Sequence, residues 1–150
     1  MTDTAGRELT TDDEIRALLA GVHRVAVLGI KTEARRDQAA YYVPAYLSAV
    51  GIEVVPVPVY HPEATEILGR TVYRTLTDIP GPVDLVDVFR RPADLPAHLP
   101  DLLATRPRAV WLQSGIRHAE FTAELVRHGI TVVQDRCLMV DHRRLGPRAG

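Results

Sequence analysis

Cysteine and lysine are nearly absent from this chain of 150 residues: Cys137 is its one thiol and Lys31 its one lysine. A single cysteine excludes an internal disulfide framework and suits a reducing compartment, so the expected location is cytoplasmic. No apolar run approaches the roughly 20 residues that a bilayer-spanning helix needs. Met1–Leu9 is polar, without the apolar heart of a signal peptide, and reads as a loose tail. Charge of one sign is also missing. The formal net charge of −1 gives no global reason to expect nucleic acid or an acidic membrane as partner. Repeats, linkers and low-complexity stretches are absent as well, so one domain is expected over 1–150.

What remains is an ordinary globular composition, 46% hydrophobic and 25% charged, long enough to bury a core. Thr11 and Glu14 have capping-box spacing, and Ile15, Leu18, Leu19 and Val22 follow on one helical face, so a helix is expected over about 12–20. Val25–Leu28 reads as a first strand that stops at Gly29. Tyr42, Val43, Tyr46, Leu47 and Val50 give a second helical stripe closed by Gly51, with Pro44 obscuring where it starts. Further strands are expected at Ile52–Val57, Val83–Phe89, Ala109–Leu112 and Ile130–Val133. A helix is expected over Glu120–His128. The segment 60–82 reads as irregular, and Pro92, Pro96 and Pro100 predict 3₁₀-like turns before any helix there. The pattern specifies an α/β fold: a Rossmann-like, doubly wound, mainly parallel five-stranded sheet with helices on both faces.

Such sheets bind ligands at the carboxyl edge of their strands. That edge collects Lys31, Arg35, Arg36, Arg90, Arg91, Arg117 and Arg136, seven of the 18 basic residues. Guanidinium forks pair well with phosphate oxygens, so a ligand carrying several phosphates fits. On charge alone, a solvated rim paired to Glu33, Asp37 and Asp135 is an equal alternative. The strand–Gly29–loop–helix junction lets backbone N–H groups face an anion. A nicotinamide dinucleotide is disfavoured, because Gly29 stands alone rather than in Gly-x-Gly-x-x-Gly. The end of the second strand, Val57-Pro58-Val59-Tyr60-His61, also offers no carboxylate for a ribose.

The residues point away from several chemistries. Asp84 and Asp87 fall on opposite faces of one strand and read as strand-end hydrogen-bonders rather than an acid–base pair. Neither His61 nor His118 has metal-ligand spacing with Cys137. Ser114 lacks the nucleophile elbow. Trp111 reads as core, and Cys137 as an inert thiol.

Three longer segments carry a more specific signal: Asp84–Pro92, Val110–Ile116 and Val132–Leu138. Together they resemble the stand-alone CoA-binding domain family, related to the N-terminal domain of the succinyl-CoA synthetase α subunit, over roughly residues 12–145. The resemblance implies coenzyme A as ligand, with Gly29, Ile30 and Lys31 as a phosphate loop aided by Arg36. Phe89, Arg90, Arg91 and Pro92 would border the nucleotide, and Gln113, Ser114, Gly115 and Ile116 would close the opposite wall. Lys31 departs from the small or polar residue usual there, and Pro56-Val57-Pro58-Val59 stands where Pro-Val-Asn-Pro is usual. The implied function is non-catalytic binding of CoA or acyl-CoA. Two alternatives remain, an accessory part of an acyl-CoA-handling enzyme and, third, a nicotinamide sensor. A protein partner or homo-oligomer stays open.

Overall fold

The computed structural model describes residues 6–147. The elements of the main layer are α1 (Asp12–Leu19), β1 (Arg24–Leu28), α2 (Ala39–Ala49) and β2 (Glu53–Val57). A small hairpin follows, β3 (Glu66–Ile67) and β4 (Arg70–Thr71). The chain then returns to the sheet as β5 (Leu85–Val88), α3 (Leu99–Thr105), β6 (Ala109–Leu112), α4 (Ala119–Arg127), β7 (Thr131–Val133) and α5 (Leu138–Leu145). The sheet order is β2-β1-β5-β6-β7, with every pairing parallel. It is the expected Rossmann-like, single-domain α/β arrangement.

Alternation along the strands separates two cores. Val25, Val27, Leu85, Ala109 and Trp111 face α1, α2 and α5 through Ile15, Leu19, Val43, Leu47 and Leu138. Ala26, Leu28, Val86, Val88, Val110 and Leu112 face the other side, against Leu95, Leu102, Phe121 and Leu125. The strands are buried on both faces, which is why they read as continuous apolar runs.

Local signals placed several elements well. Thr11 and Glu14 form the complete capping box of α1. A 3₁₀ stretch at Pro92–His98 precedes α3, as the prolines required. Trp111 is fully buried, and its indole N–H donates to the Arg136 carbonyl at 2.7 Å.

Other expectations need correction. Of the segment read as a loose tail, residues 1–5 lie outside the described part. Glu8, however, forms a parallel bridge with Val132, and the buried Leu9 donates its N–H to the Val132 carbonyl at 2.9 Å. Within 60–82 the hairpin was not anticipated; Leu68 and Gly69 take positive φ at both central turn positions, the geometry of a two-residue hairpin loop. Met139 and Val140, which by sequence suggest a short extra piece after the last strand, lie in a full helix, α5. Its stripe is masked because Asp141 and His142 are buried on the inner face between Leu138 and Leu145. Asp141 accepts from the Arg136 Nε–H at 2.6 Å, and the Tyr46 hydroxyl lies 2.8 Å from His142 Nδ1.

Asp84, just before β5, and Asp87, within it, also part ways. Asp84 accepts from the backbone N–H of His23 at 2.7 Å and of Arg24 at 2.9 Å, a strand-end role. Asp87 is fully buried, level with Val27 and Trp111, and neither carboxyl oxygen has a protein partner among the described residues. Burial pushes this carboxyl well above its ordinary range, so the folded protein holds it neutral. An unfolded chain ionises it above about pH 4. The contribution of Asp87 is therefore fully present below that pH and is lost as pH rises through the folded value. Asp87→Asn removes the effect. Measured by urea unfolding, the variant should gain on the parent between pH 5 and pH 8, by at most about 1.4 kcal/mol per pH unit. Parallel stability profiles would show that the native carboxyl is ionised and partnered.

Candidate functional site

The sheet reverses its winding between β1 and β5, since β2 lies on one side of β1 and all later sheet strands lie on the other. A crevice opens outside the strand carboxyl ends at such a switch point. Leu28, Val88 and Leu112 are in register, so the residues that follow, Gly29, Phe89 and Gln113, emerge level with one another.

Gly29 is required there by close packing. Its φ is +89°, and a Cβ on it would lie 2.3 Å from the Phe89 carbonyl oxygen and 3.3 Å from Arg90 Cδ. The bare backbone is what lets the β5 end close over the β1 end. Beyond Gly29, the Lys31 N–H donates to the Ala40 carbonyl at 3.1 Å. Pro44 has no N–H to offer that carbonyl four residues earlier, so the proline that looked awkward within α2 frees the acceptor that pins the loop. The N–H groups of Ile30 and Thr32 have no acceptor among the described residues, and α2 begins without a side-chain cap. Unpartnered N–H groups thus lie in the loop after β1 and at the N-terminus of the helix that follows it.

Across from them stands Arg90, its side chain only 13% exposed. Its Nε–H donates to His98 Nε2 at 3.1 Å, and its guanidinium stands 3.7 Å from Asp94. His98 must be neutral to accept this bond; burial, and then Arg90 itself, pushes its imidazole down. Asp94 is drawn more tightly to Arg91, 80% exposed, at 3.0 Å, a contact that holds its carboxyl below the usual range. Pro92 opens the 3₁₀ stretch that carries Asp94 and His98. Tyr60 joins the two sides: Lys31 Nζ lies 5.6 Å and Arg90 Cζ 5.5 Å from its ring centroid. Nothing in the local sequence pattern marked Tyr60, Asp94 or His98; their roles arise from three separate loops meeting.

The opposite wall is differently occupied. Gln113 is buried, and its side-chain oxygen accepts from the Leu138 N–H at 3.1 Å, at the start of α5. The Gly115 N–H donates to Asp135 at 2.6 Å, and Arg117 pairs with the same carboxylate at 3.3 Å. These contacts, the Gly115 bond first, hold Asp135 below its ordinary range. The Ile116 N–H returns to the Gln113 carbonyl at 2.9 Å, closing a tight turn around the exposed Ser114. Arg136 is taken up by Asp141 and Asp12. Arg36 donates to the Glu33 carbonyl at 3.0 Å, while the Glu33 carboxylate accepts the Leu68 N–H and ties the hairpin to the loop. Of the rim cations, Lys31, Arg35 and Arg36 have no acidic partner among the described residues, Arg36 bonding only the Glu33 backbone carbonyl, and Arg90 has only the loose contact with Asp94.

A groove of about 550 Å³ lies at the other edge, among Arg7, Leu9, Arg106, Arg108 and Ile130. Its arginines are engaged: Arg7 with Glu14, Arg106 with the His128 carbonyl and Arg108 with the Gly21 carbonyl. Volume therefore favours that edge, but the switch point, the unpartnered N–H groups and the unneutralised cations favour the β1–β5 crevice. Among the described residues no cluster of His, Cys, Asp and Glu is arranged for a metal ion, and no helix is long and apolar enough to cross a membrane.

A doubly wound parallel sheet with Gly29, Lys31 and Arg90 gathered at its switch point defines a Rossmann-like α/β domain. The chain belongs to the CoA-binding domain family, whose model matches residues 23–143. It is 34% identical over 129 residues to the uncharacterized protein YneT of Bacillus subtilis (strain 168), covering 86% of this chain and 92% of that one. A solved Thermus thermophilus protein, cell-free ID.343, is 47% identical with a TM-score of 0.83, over 91% of this chain and 99% of that chain. The fold recurs, at 20% identity and TM-score 0.62, in the dinucleotide forming acetyl-coenzyme A synthetase 1 of Ca. Korarchaeum cryptofilum. There the match covers 79% of this chain but 27% of the synthetase.

Proposed function

We propose that this protein binds coenzyme A, or an acyl-CoA, in the β1–β5 crevice without transforming it. The observation that carries this reading is the meeting of Gly29, the free N–H groups of Ile30 and Thr32, and the cations Lys31 and Arg90 at one switch point. Coenzyme A brings a pyrophosphate and a 3′-phosphate, anions suited to such donors. Membership of the CoA-binding domain family supports the choice of ligand. The non-catalytic half rests on the titratable groups of the rim being committed to one another, Asp94 to Arg91, Asp135 to Gly115 and Arg117, and His98 to Arg90. A nicotinamide ligand remains disfavoured, since no acid stands between Val57 and His61 to take a ribose hydroxyl.

A role as accessory subunit of an acyl-CoA-handling enzyme is the second reading. It is favoured by the outer faces of α2 and α5, where Tyr42, Val50 and Val140 stay exposed.

The test is thermal. Coenzyme A at about 100 times its dissociation constant stabilises the folded state by roughly 2.7 kcal/mol. For a domain of this size that raises Tm by roughly 5–10 °C. NAD at equal concentration should give a clearly smaller shift. Equal shifts, or a larger one with NAD, would remove the coenzyme A assignment.

A further inference from the structure

Tyr60 is 57% exposed, the most exposed of the large hydrophobic side chains left at the surface of the described protein. Burial does not explain such a ring, because most of its area remains in water. Its neighbours do. Lys31 Nζ and Arg90 Cζ lie 5.6 and 5.5 Å from its centroid, both within cation–π range, and they come from the ends of different strands. Two cations drawn to one ring repel each other. The negative face of an aromatic ring offsets that repulsion where no carboxylate is closely engaged.

The ring is also held in place. The segment 58–62 is bracketed by Pro58 and Pro62, and His61 takes a left-handed conformation with φ +64°. Arg74 donates to the carbonyls of His61 at 3.1 Å, Pro62 at 3.2 Å and Ala64. Arg74 thus pins the stretch just beyond Tyr60. Lys31 is pinned through its own N–H to the Ala40 carbonyl, and Arg90 through its Nε–H to His98. Tyr60 links the two charges through its ring, and at Arg90 through its hydroxyl as well, whose phenol the guanidinium holds below its usual range.

We propose that Tyr60 is a positioning residue that yokes Lys31 to Arg90, so that the crevice presents a preorganised pair of cations to a ligand with adjacent phosphates. The inference rests on the coenzyme A reading of this crevice and adds to it the source of its diphosphate preference. Tyr60 acts through the cations rather than by stacking on a base, and this distinction makes the idea testable.

The experiment is calorimetric titration of coenzyme A into the parent, Tyr60→Phe, Tyr60→Leu, Arg90→Ala and the Tyr60→Leu/Arg90→Ala double variant. Tyr60→Phe keeps the ring but loses the hydroxyl contact with Arg90, and should bind between the parent and Tyr60→Leu. Tyr60→Leu should bind roughly three- to tenfold more weakly, the worth of a cation–π contact. In the Arg90→Ala background the Tyr60→Leu factor should shrink to half or less, because coupled residues are non-additive. A Tyr60→Leu factor of the same size in both backgrounds overturns the proposal, since the ring then touches the ligand directly. An unchanged affinity in Tyr60→Leu overturns it too, while leaving coenzyme A binding itself intact. A parent that binds no coenzyme A fells the ligand assignment first and this inference with it.

Discussion

Gly29→Ala should lower the melting temperature by roughly 5–15 °C, the largest stability effect expected of any conservative change at the site. Two costs combine. A residue with a Cβ at φ +89° is strained by about 1 kcal/mol. The added carbon would also meet the Phe89 carbonyl oxygen at 2.3 Å, and relieving that overlap means parting the ends of β1 and β5. Overpacking of this kind costs roughly 1–3 kcal/mol, and each kcal/mol moves Tm by about 2–4 °C in a domain of this size. Gly115 supplies the comparison. Its φ is +84°, but a Cβ there meets nothing within 4 Å. Gly115→Ala should therefore show the conformational cost alone. Calorimetric melting of both variants separates the terms; equal losses would mean that the Phe89 carbonyl is not what demands glycine at position 29.

Arg90→Ala should weaken coenzyme A binding by about ten- to a hundredfold. A charge-assisted hydrogen bond contributes roughly 1.5–3 kcal/mol, and each 1.4 kcal/mol is about a factor of ten. The folded protein changes less, because the contact with Asp94 is loose at 3.7 Å and Asp94 keeps Arg91 as its closer partner at 3.0 Å. Asp94 lies four residues after Arg90, so the cation is not free of acids; it is weakly engaged, and a phosphate competes well against a carboxylate already satisfied elsewhere. Arg127, exposed at the end of α4, is the control, and Arg127→Ala should bind like the parent. Isothermal titration with both variants decides. Affinity unchanged by Arg90→Ala would place the phosphates away from the β5 end.

Some of the site was legible in the chain because it depends on neighbours in sequence. A strand that ends at Gly29, and a strand that ends where Arg90 begins, follow from apolar runs meeting polar residues. Other assignments changed once distant segments met. Gln113 stands in the wall read as closing the site, and its side-chain oxygen already accepts the N–H of Leu138. Arg117 and Arg136 were counted with the basic rim, yet carboxylates of the loop after β7 and of α1 and α5 hold them. Pro56-Val57-Pro58-Val59 departs from the usual asparagine-bearing pattern after the second strand, and nothing in that departure signals that the loop delivers Tyr60 to the two central cations.

By itself the sequence determined the alternation of strands and helices, the two-sided burial of the sheet and the edge at which its loops gather. Those features rest on periodicity, capping and strand-ending residues, which act over a few positions. Only the tertiary structure decided which cations remain unneutralised, why Gly29 must be glycine and that Asp87 is sealed in the core without a partner. Charge pairing, close backbone approach and desolvation each depend on what arrives from elsewhere in the chain, and no local pattern encodes them.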